Sequence, residues 1–210
     1  MKEFGNGLLT GLTLQLAIGP VFFFIINLSL QKTILDGFAG VLGVTLVDYL
    51  YISLAILGIG KVLEKKKVKN IFGIVSASVL IIFGFLIVKG LLETAGMVKT
   101  IIDTASNIME SFLSVFLITI SSPMTIVFFT SLITAKAIEH NYKRKQLLLF
   151  GLGTGFATFL FMGSSVILFS AIKGTIPNLL IQTLNGIVGF LLIGYGALRL
   201  WNAIKNANKV

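Results

Sequence analysis

Asp48 stands in the middle of an apolar stretch running from about residue 37 to residue 60, while the other acidic and basic residues fall in loops or near predicted helix ends. A carboxyl group so placed can take up and release a proton, or receive an ammonium or another cation. An aspartate at the centre of a bilayer costs about 2.5–3.5 kcal/mol on insertion scales, and residues that carry this cost usually face an interior pathway. The competing reading is a structural aspartate whose hydrogen bonds lock two helices together. Thr45 and Tyr51, one turn to either side, share its helical face and are candidates to bond it.

Two prolines interrupt apolar runs in a comparable way, at Ala17-Ile18-Gly19-Pro20 and at Ser121-Ser122-Pro123. A proline inside a helix removes one backbone hydrogen bond and clashes with the carbonyl four residues back. In lipid such a break is tolerated where it is buried or lines a cavity. The segment after the proline then presents a helix N-terminus with unpaired N–H groups and a partial positive charge, a place for a carboxylate. Gly19 lets a ligand approach the backbone closely, and the Ser121 and Ser122 hydroxyls add hydrogen-bonding groups. A kink that serves packing alone is the alternative. Gln15 and Asn27 in the first apolar run, Thr125 in the fourth and Thr158 in the fifth are further polar groups at membrane depth. Residues of this kind more often bond a neighbouring helix than a substrate.

The elements that must position these groups are transmembrane helices. The chain is 56% hydrophobic and only 12% charged, against about 25% charged in soluble domains. A helical span needs roughly 20 apolar residues. Six windows meet that need: residues 8–31, 37–60, 71–92, 110–135, 146–172 and 177–201. They leave room for one transmembrane domain over residues 1–210 and little else. The N-terminal run lacks a strongly basic start and a cleavage site, so it reads as a retained first helix.

With the N-terminus inside, all but four of the 17 Lys and Arg residues lie on the cytoplasmic side, the exceptions being Lys32, Lys89, Lys99 and Lys173. Positive charge retained inside places both termini in the cytoplasm of an inner-membrane protein. The net charge of +9 therefore reads as topology and lipid contact rather than as a nucleic-acid surface. His140 and the Glu64-Lys65-Lys66-Lys67 run read as solvated loop residues, and residues 94–109 as a loop with room for a short interfacial helix.

The chain also reads as two halves, residues 4–93 and 108–205. Each has a proline break in its first helix, glycines spaced along its second (Gly37, Gly40 and Gly43; Gly151, Gly153 and Gly155) and a similar end to its third. The run Gly84 to Lys89 matches Gly194 to Arg199 at a shift of 110, and Thr158 falls at the place of Asp48 at the same shift. Three helices per half is an odd number, so the second copy enters from the opposite side, as in inverted-repeat transporters. The predicted fold is an all-α integral membrane protein of six helices in two inverted three-helix repeats. Gly7-x-x-x-Gly11 and Gly151-x-x-x-Gly155 allow close helix contact, which serves packing within the chain as well as dimerisation.

At these residues the sequence resembles the lysine-exporter (LysE) family of amino-acid translocators. The resemblance rests on the Ala17-Ile18-Gly19-Pro20 break, Ser29-Leu30, the glycine-spaced second helix with Asp48, and Ser122-Pro123 where the family carries Asn-Pro. It implies a six-helix exporter, proton antiport and room for a homodimer. Val47 before the aspartate and Ser122 in place of asparagine depart from the family pattern, so lysine is not carried over as the substrate.

An exporter of a small amino acid or derivative needs an anion-receiving helix end, a place for an ammonium and a route for protons, and the two breaks with Asp48 offer all three. The rival is an exporter of metal cations or another small solute. Divalent cations favour several carboxylates or soft Cys and His ligands. The chain has no cysteine and a single histidine, which lies in a loop, so no metal site and no cofactor is expected. A membrane enzyme has no nucleophile–base pair here to support it.

Overall fold

The computed structural model describes residues 2–16, 18–58, 66–95, 107–175 and 178–207. Ala17, Lys61, Glu64, Lys65, the 96–106 part of the loop and the side chain of Pro123 lie outside the described residues. Among the described residues the secondary structure is helical, without strands: α1 (Lys2–Gln15), α2 (Pro20–Gln31), α3 (Ile34–Ile56), α4 (Lys66–Ala95), α5 (Ile108–Ile120), α6 (Pro123–Glu139), α7 (Arg144–Ile172) with a 3-10 turn at Lys173–Thr175, and α8 (Asn178–Ala207).

Three of these helices carry stretches long and apolar enough to cross a bilayer: α3, Arg144–Thr175 and Gln182–Lys205. The pairs α1/α2 and α5/α6 pass the same test if each counts as one span broken by a bend, of 83° and 65° respectively. Helix α4 has 30 residues, about 45 Å at 1.5 Å per residue, with an apolar segment at Ala77–Lys89. Stripes of leucine at Leu42, Leu46 and Leu50 on α3, and at Leu148, Leu152 and Leu160 on α7, stay exposed. Spaced one or two turns apart, they give each helix an apolar outer face, which suits lipid contact and would be a liability in water.

The two expected kinks are complete breaks. Helix α1 ends at Gln15, and α2 restarts at Pro20 behind Gly19, whose backbone is extended (φ −119, ψ 179). Helix α5 ends at Ile120, and α6 restarts at Pro123 behind Ser122. Each proline occupies the first position of a new helix, where its missing N–H would have been unpaired anyway and its fixed φ already suits the helix. Two other described starts are capped by side chains: the Thr33 hydroxyl accepts from Asp36 N in α3, and the Asn107 side chain accepts from Glu110 N in α5. Gly19 and Ser122 make no side-chain cap.

Glycines set which helices touch. A Cβ on Gly7 would strike the Phe150 carbonyl, one on Gly11 the Thr154 backbone, and one on Gly153 the Phe4 backbone, so α1 and α7 pack backbone to backbone. Helix α3 meets α5 in the same manner, with Gly43 against the Phe112 carbonyl. Gly151 faces Ile52 and Gly155 faces Tyr49, both on α3, and Gly84 and Gly189 bring α4 and α8 together. The motifs that sequence left open to dimerisation are therefore occupied within the chain.

The buried apolar residues fall into two clusters, one around Ile25, Val41, Val115, Val166 and Leu192, the other around Val47, Tyr51, Phe129 and Phe150. Helix α3 passes from the first to the second between Val44 and Val47, and Asp48 sits at that junction.

Candidate functional site

Asp48 is 5% exposed, and its Oδ2 accepts a 2.7 Å hydrogen bond from Thr158 Oγ1 of α7. The Thr158 oxygen in turn accepts a 2.7 Å bond from Gln15 Nε2. Gln15 is the last residue of α1, so this chain of two bonds runs from the carboxylate to the edge of the first break. Three residues that sequence reading ranked separately thus form one polar layer across α1, α3 and α7. A buried carboxylate costs least when its lone pairs are occupied, and the hydroxyl of Thr158 serves that purpose without bringing a counter-charge.

Thr45 and Tyr51 do not bond Asp48. The Thr45 hydroxyl is buried without a hydrogen-bonding partner. The Tyr51 side chain is long enough to pass Asp48 and reach the next helix, where its hydroxyl donates at 2.5 Å to the Ile120 carbonyl at the end of α5. That carbonyl belongs to the last turn before the second break, where helix termination leaves acceptors unpaired. Ser121 Oγ donates to Leu117 O at 2.6 Å, closing the same turn.

Ser122 has a partner that sequence reading missed. Arg199 Nη2 donates to Ser122 Oγ at 3.1 Å, and the guanidinium lies 4.8 Å from the centre of the Tyr195 ring. Read from sequence, Arg199 was one of the cytoplasmic bases at the chain's end. It also falls within the Gln182–Lys205 stretch, about 9 Å along the axis from Lys205 at 1.5 Å per residue. The legible signal was its place within the last apolar window, where an ionisable group is a candidate for function by default. Tyr51 stands within electrostatic reach of both Asp48 and Arg199.

The remaining candidates divide. Open space surrounds Gly19: a Cβ built there meets no atom within 4 Å. Pro20 and Pro123 open α2 and α6 as described. Thr125 N bonds Ser122 O at 3.2 Å within the first turn of α6. Asn27, two turns into α2, accepts from Gln31 Nε2, and its own Nδ2 is buried without a partner. The Asn27 side chain thus bonds Gln31 on its own helix.

A second buried carboxylate also escaped notice. Asp36 is fully buried; it accepts from Thr33 N, from Thr33 Oγ1 and, at 2.7 Å, from Ser111 Oγ of α5. Thr33-x-x-Asp36 is a capping pattern readable in the sequence, and it places the charge at the positive end of α3. These bonds make Asp36 a helix cap that also ties α3 to α5.

The profile of the LysE type translocators matches residues 12–202, which takes in both breaks, Asp48, Thr158 and Arg199. The chain belongs to the LysE type translocator family. No curated protein and no solved structure matches it. As a LysE type translocator with several apolar spans it is a multi-pass membrane protein that moves a small solute across the bilayer.

Proposed function

We propose that this chain exports a small amino acid or amino-acid derivative across the cytoplasmic membrane by proton antiport. Its six helices form a single domain of two inverted repeats, with α1/α2, α3 and α4 in one half and α5/α6, α7 and α8 in the other. Both termini lie in the cytoplasm. The repeat reading draws support from contacts that survive exchange of the halves: α1 packs on α7 as α5 packs on α3, while α3 meets α7 and α4 meets α8. The Asp48–Thr158 bond joins two positions separated by 110 residues, the shift that relates the halves in sequence.

The observation that carries the proposal is the buried Asp48 carboxylate bonded through Thr158 to Gln15 at the first break. In this reading a substrate ammonium beside Asp48 favours the carboxylate and displaces a proton, so substrate and proton compete for one group. That competition is the requirement for antiport. The break supplies N–H groups at the start of α2 and open space at Gly19 for the substrate's other end. Metal cations are the weaker reading, because Asp48 is bonded by the neutral Thr158 hydroxyl and one carboxylate offers too few oxygen ligands for a dehydrated divalent ion.

The test is Asp48→Asn in proteoliposomes with only a pH difference imposed. The variant keeps size and hydrogen bonding but cannot titrate, and it is expected to insert yet fail to concentrate substrate. Concentration of substrate by Asp48→Asn under that gradient would place the coupling group elsewhere and leave Asp48 structural.

A further inference from the structure

Alternating access rocks parts of a transporter against one another around a fixed central site. The parts that move as units are those whose mutual contacts cannot slide. Backbones in direct contact leave no side chain to reorient, so glycine-packed helices are the least able to shift. Two helix pairs are packed in this way. Helix α1 meets α7 where Gly7 faces the Phe150 carbonyl and Gly153 faces the Phe4 carbonyl, and α5 meets α3 where Gly43 faces the Phe112 carbonyl. Each pair takes one helix from each half, and exchanging the halves turns one pair into the other.

The contact between the pairs, α3 against α7, is of another kind. Side chains of α3 fill notches in α7: Ile52 stands at Gly151 and the Tyr49 ring at Gly155. Polar links join the pairs along their length. The Asp48–Thr158 bond lies at the centre, and exchange of the halves maps its two positions onto each other. On the cytoplasmic side the Tyr49 hydroxyl donates to the Leu152 carbonyl at 3.1 Å. That bond is one-sided, because Phe159, at a shift of 110 from Tyr49, has no hydroxyl. At the outer end Lys173 Nζ, just past α7, donates at 2.7 Å to the carbonyl of Lys32, which stands between α2 and α3. Side-chain bonds of this sort are each worth little enough to break and remake. The Lys32 ammonium, by contrast, pairs at 3.4 Å with Glu110 of α5, a link that stays on the α3 and α5 side.

We propose that α1 with α7 and α3 with α5 move as two rigid pairs, and that the Lys173–Lys32 contact closes the outer end between them. The inference rests on the export reading and its two inverted halves, and it names the moving parts. The pairs rock about the Asp48–Thr158 bond. Parting of Lys173 from the Lys32 carbonyl opens the central layer to the outside, while the Tyr49–Leu152 bond keeps the cytoplasmic side shut.

The experiment uses the full-length, cysteine-free chain with paired cysteines added, in proteoliposomes, and a bis-maleimide whose spacer contains a disulfide. The probe is the labelled standard L-amino acid that wild type moves fastest. Linking Lys32→Cys to Lys173→Cys ties the two pairs together and should stop export, with recovery when a reductant cuts the spacer. Linking Lys32→Cys to Glu110→Cys, at the same end but on one side, should leave export running. A second readout needs no substrate. Gly19→Cys places a thiol at the first break, where an added Cβ meets nothing within 4 Å. Adding Lys173→Met removes the outer bond and should speed labelling of that thiol from outside about 2- to 10-fold, the weight of one hydrogen bond. Export that continues with residues 32 and 173 linked, or that stops equally with 32 and 110 linked, overturns the inference while amino-acid export stands. Unchanged labelling in Lys173→Met overturns it as well. A wild-type protein that moves none of the amino acids refutes the export reading itself, and the labelling rates alone then decide the closure.

Discussion

Replacing Thr158 with valine keeps the branched shape at a position that is 1% exposed and removes only the hydroxyl. Two interhelical hydrogen bonds disappear, one donated to Asp48 and one accepted from Gln15. Interhelical bonds in membrane proteins average about 0.6 kcal/mol, and a bond to a charged group is roughly twice as strong, so the loss comes to about 2 kcal/mol. For a chain of this size each kcal/mol moves the midpoint by about 2–4 °C, which gives a fall in Tm of about 4–8 °C. The assay is thermal unfolding in detergent followed by circular dichroism. Its control is the same substitution in an Asp48→Leu background, where only the Gln15 bond remains to be lost and the cost drops to about 0.6 kcal/mol. The difference between the two costs is the coupling between residues 48 and 158. Costs that agree within about 0.3–0.5 kcal/mol would mean the two sites act independently, and the polar layer would not exist as described.

Other consequences follow from single positions. Gly19→Ala adds a methyl group where no atom lies within 4 Å and φ is −119, so it should fold with wild-type Tm yet raise KM, since the methyl enters the space assigned to substrate; unchanged transport kinetics would remove that space from the site. Gly153→Ala should lower Tm markedly, by forcing apart backbones that already touch at Phe4 and Leu8, whereas Gly5→Ala meets nothing within 4 Å and should be neutral. Because the chain has no cysteine, His140→Cys and Thr175→Cys report topology cleanly. An impermeant thiol reagent applied to intact cells should label residue 175 and spare residue 140, and the reverse pattern would invert every loop assignment.

Asp48, the two helix breaks and the membrane class were legible in the sequence because each rests on a local or compositional cost. A lone carboxyl in an apolar window is expensive wherever the helix packs, and a proline ends or starts a helix through its own ring. The family was legible for a related reason, since the Gly-Pro break and the glycine-spaced helix with its aspartate are short-range patterns. What sequence could not decide was which polar group meets which. Thr45 and Tyr51 share the face of Asp48, yet the carboxylate is bonded by Thr158 from another helix while Tyr51 reaches past it to the Ile120 carbonyl. Those choices depend on how near α3 lies to α5 and α7, and that distance is set by glycines whose partners are far away in sequence, Gly43 against Phe112 and Gly155 against Tyr49. Arg199 shows the same limit most clearly. Its charge and position were plain in the sequence, but its head rests on Ser122, 77 residues earlier, because α8 and the second break come together in the folded bundle. Periodicity fixes the face of a helix, and only packing assigns that face its neighbour.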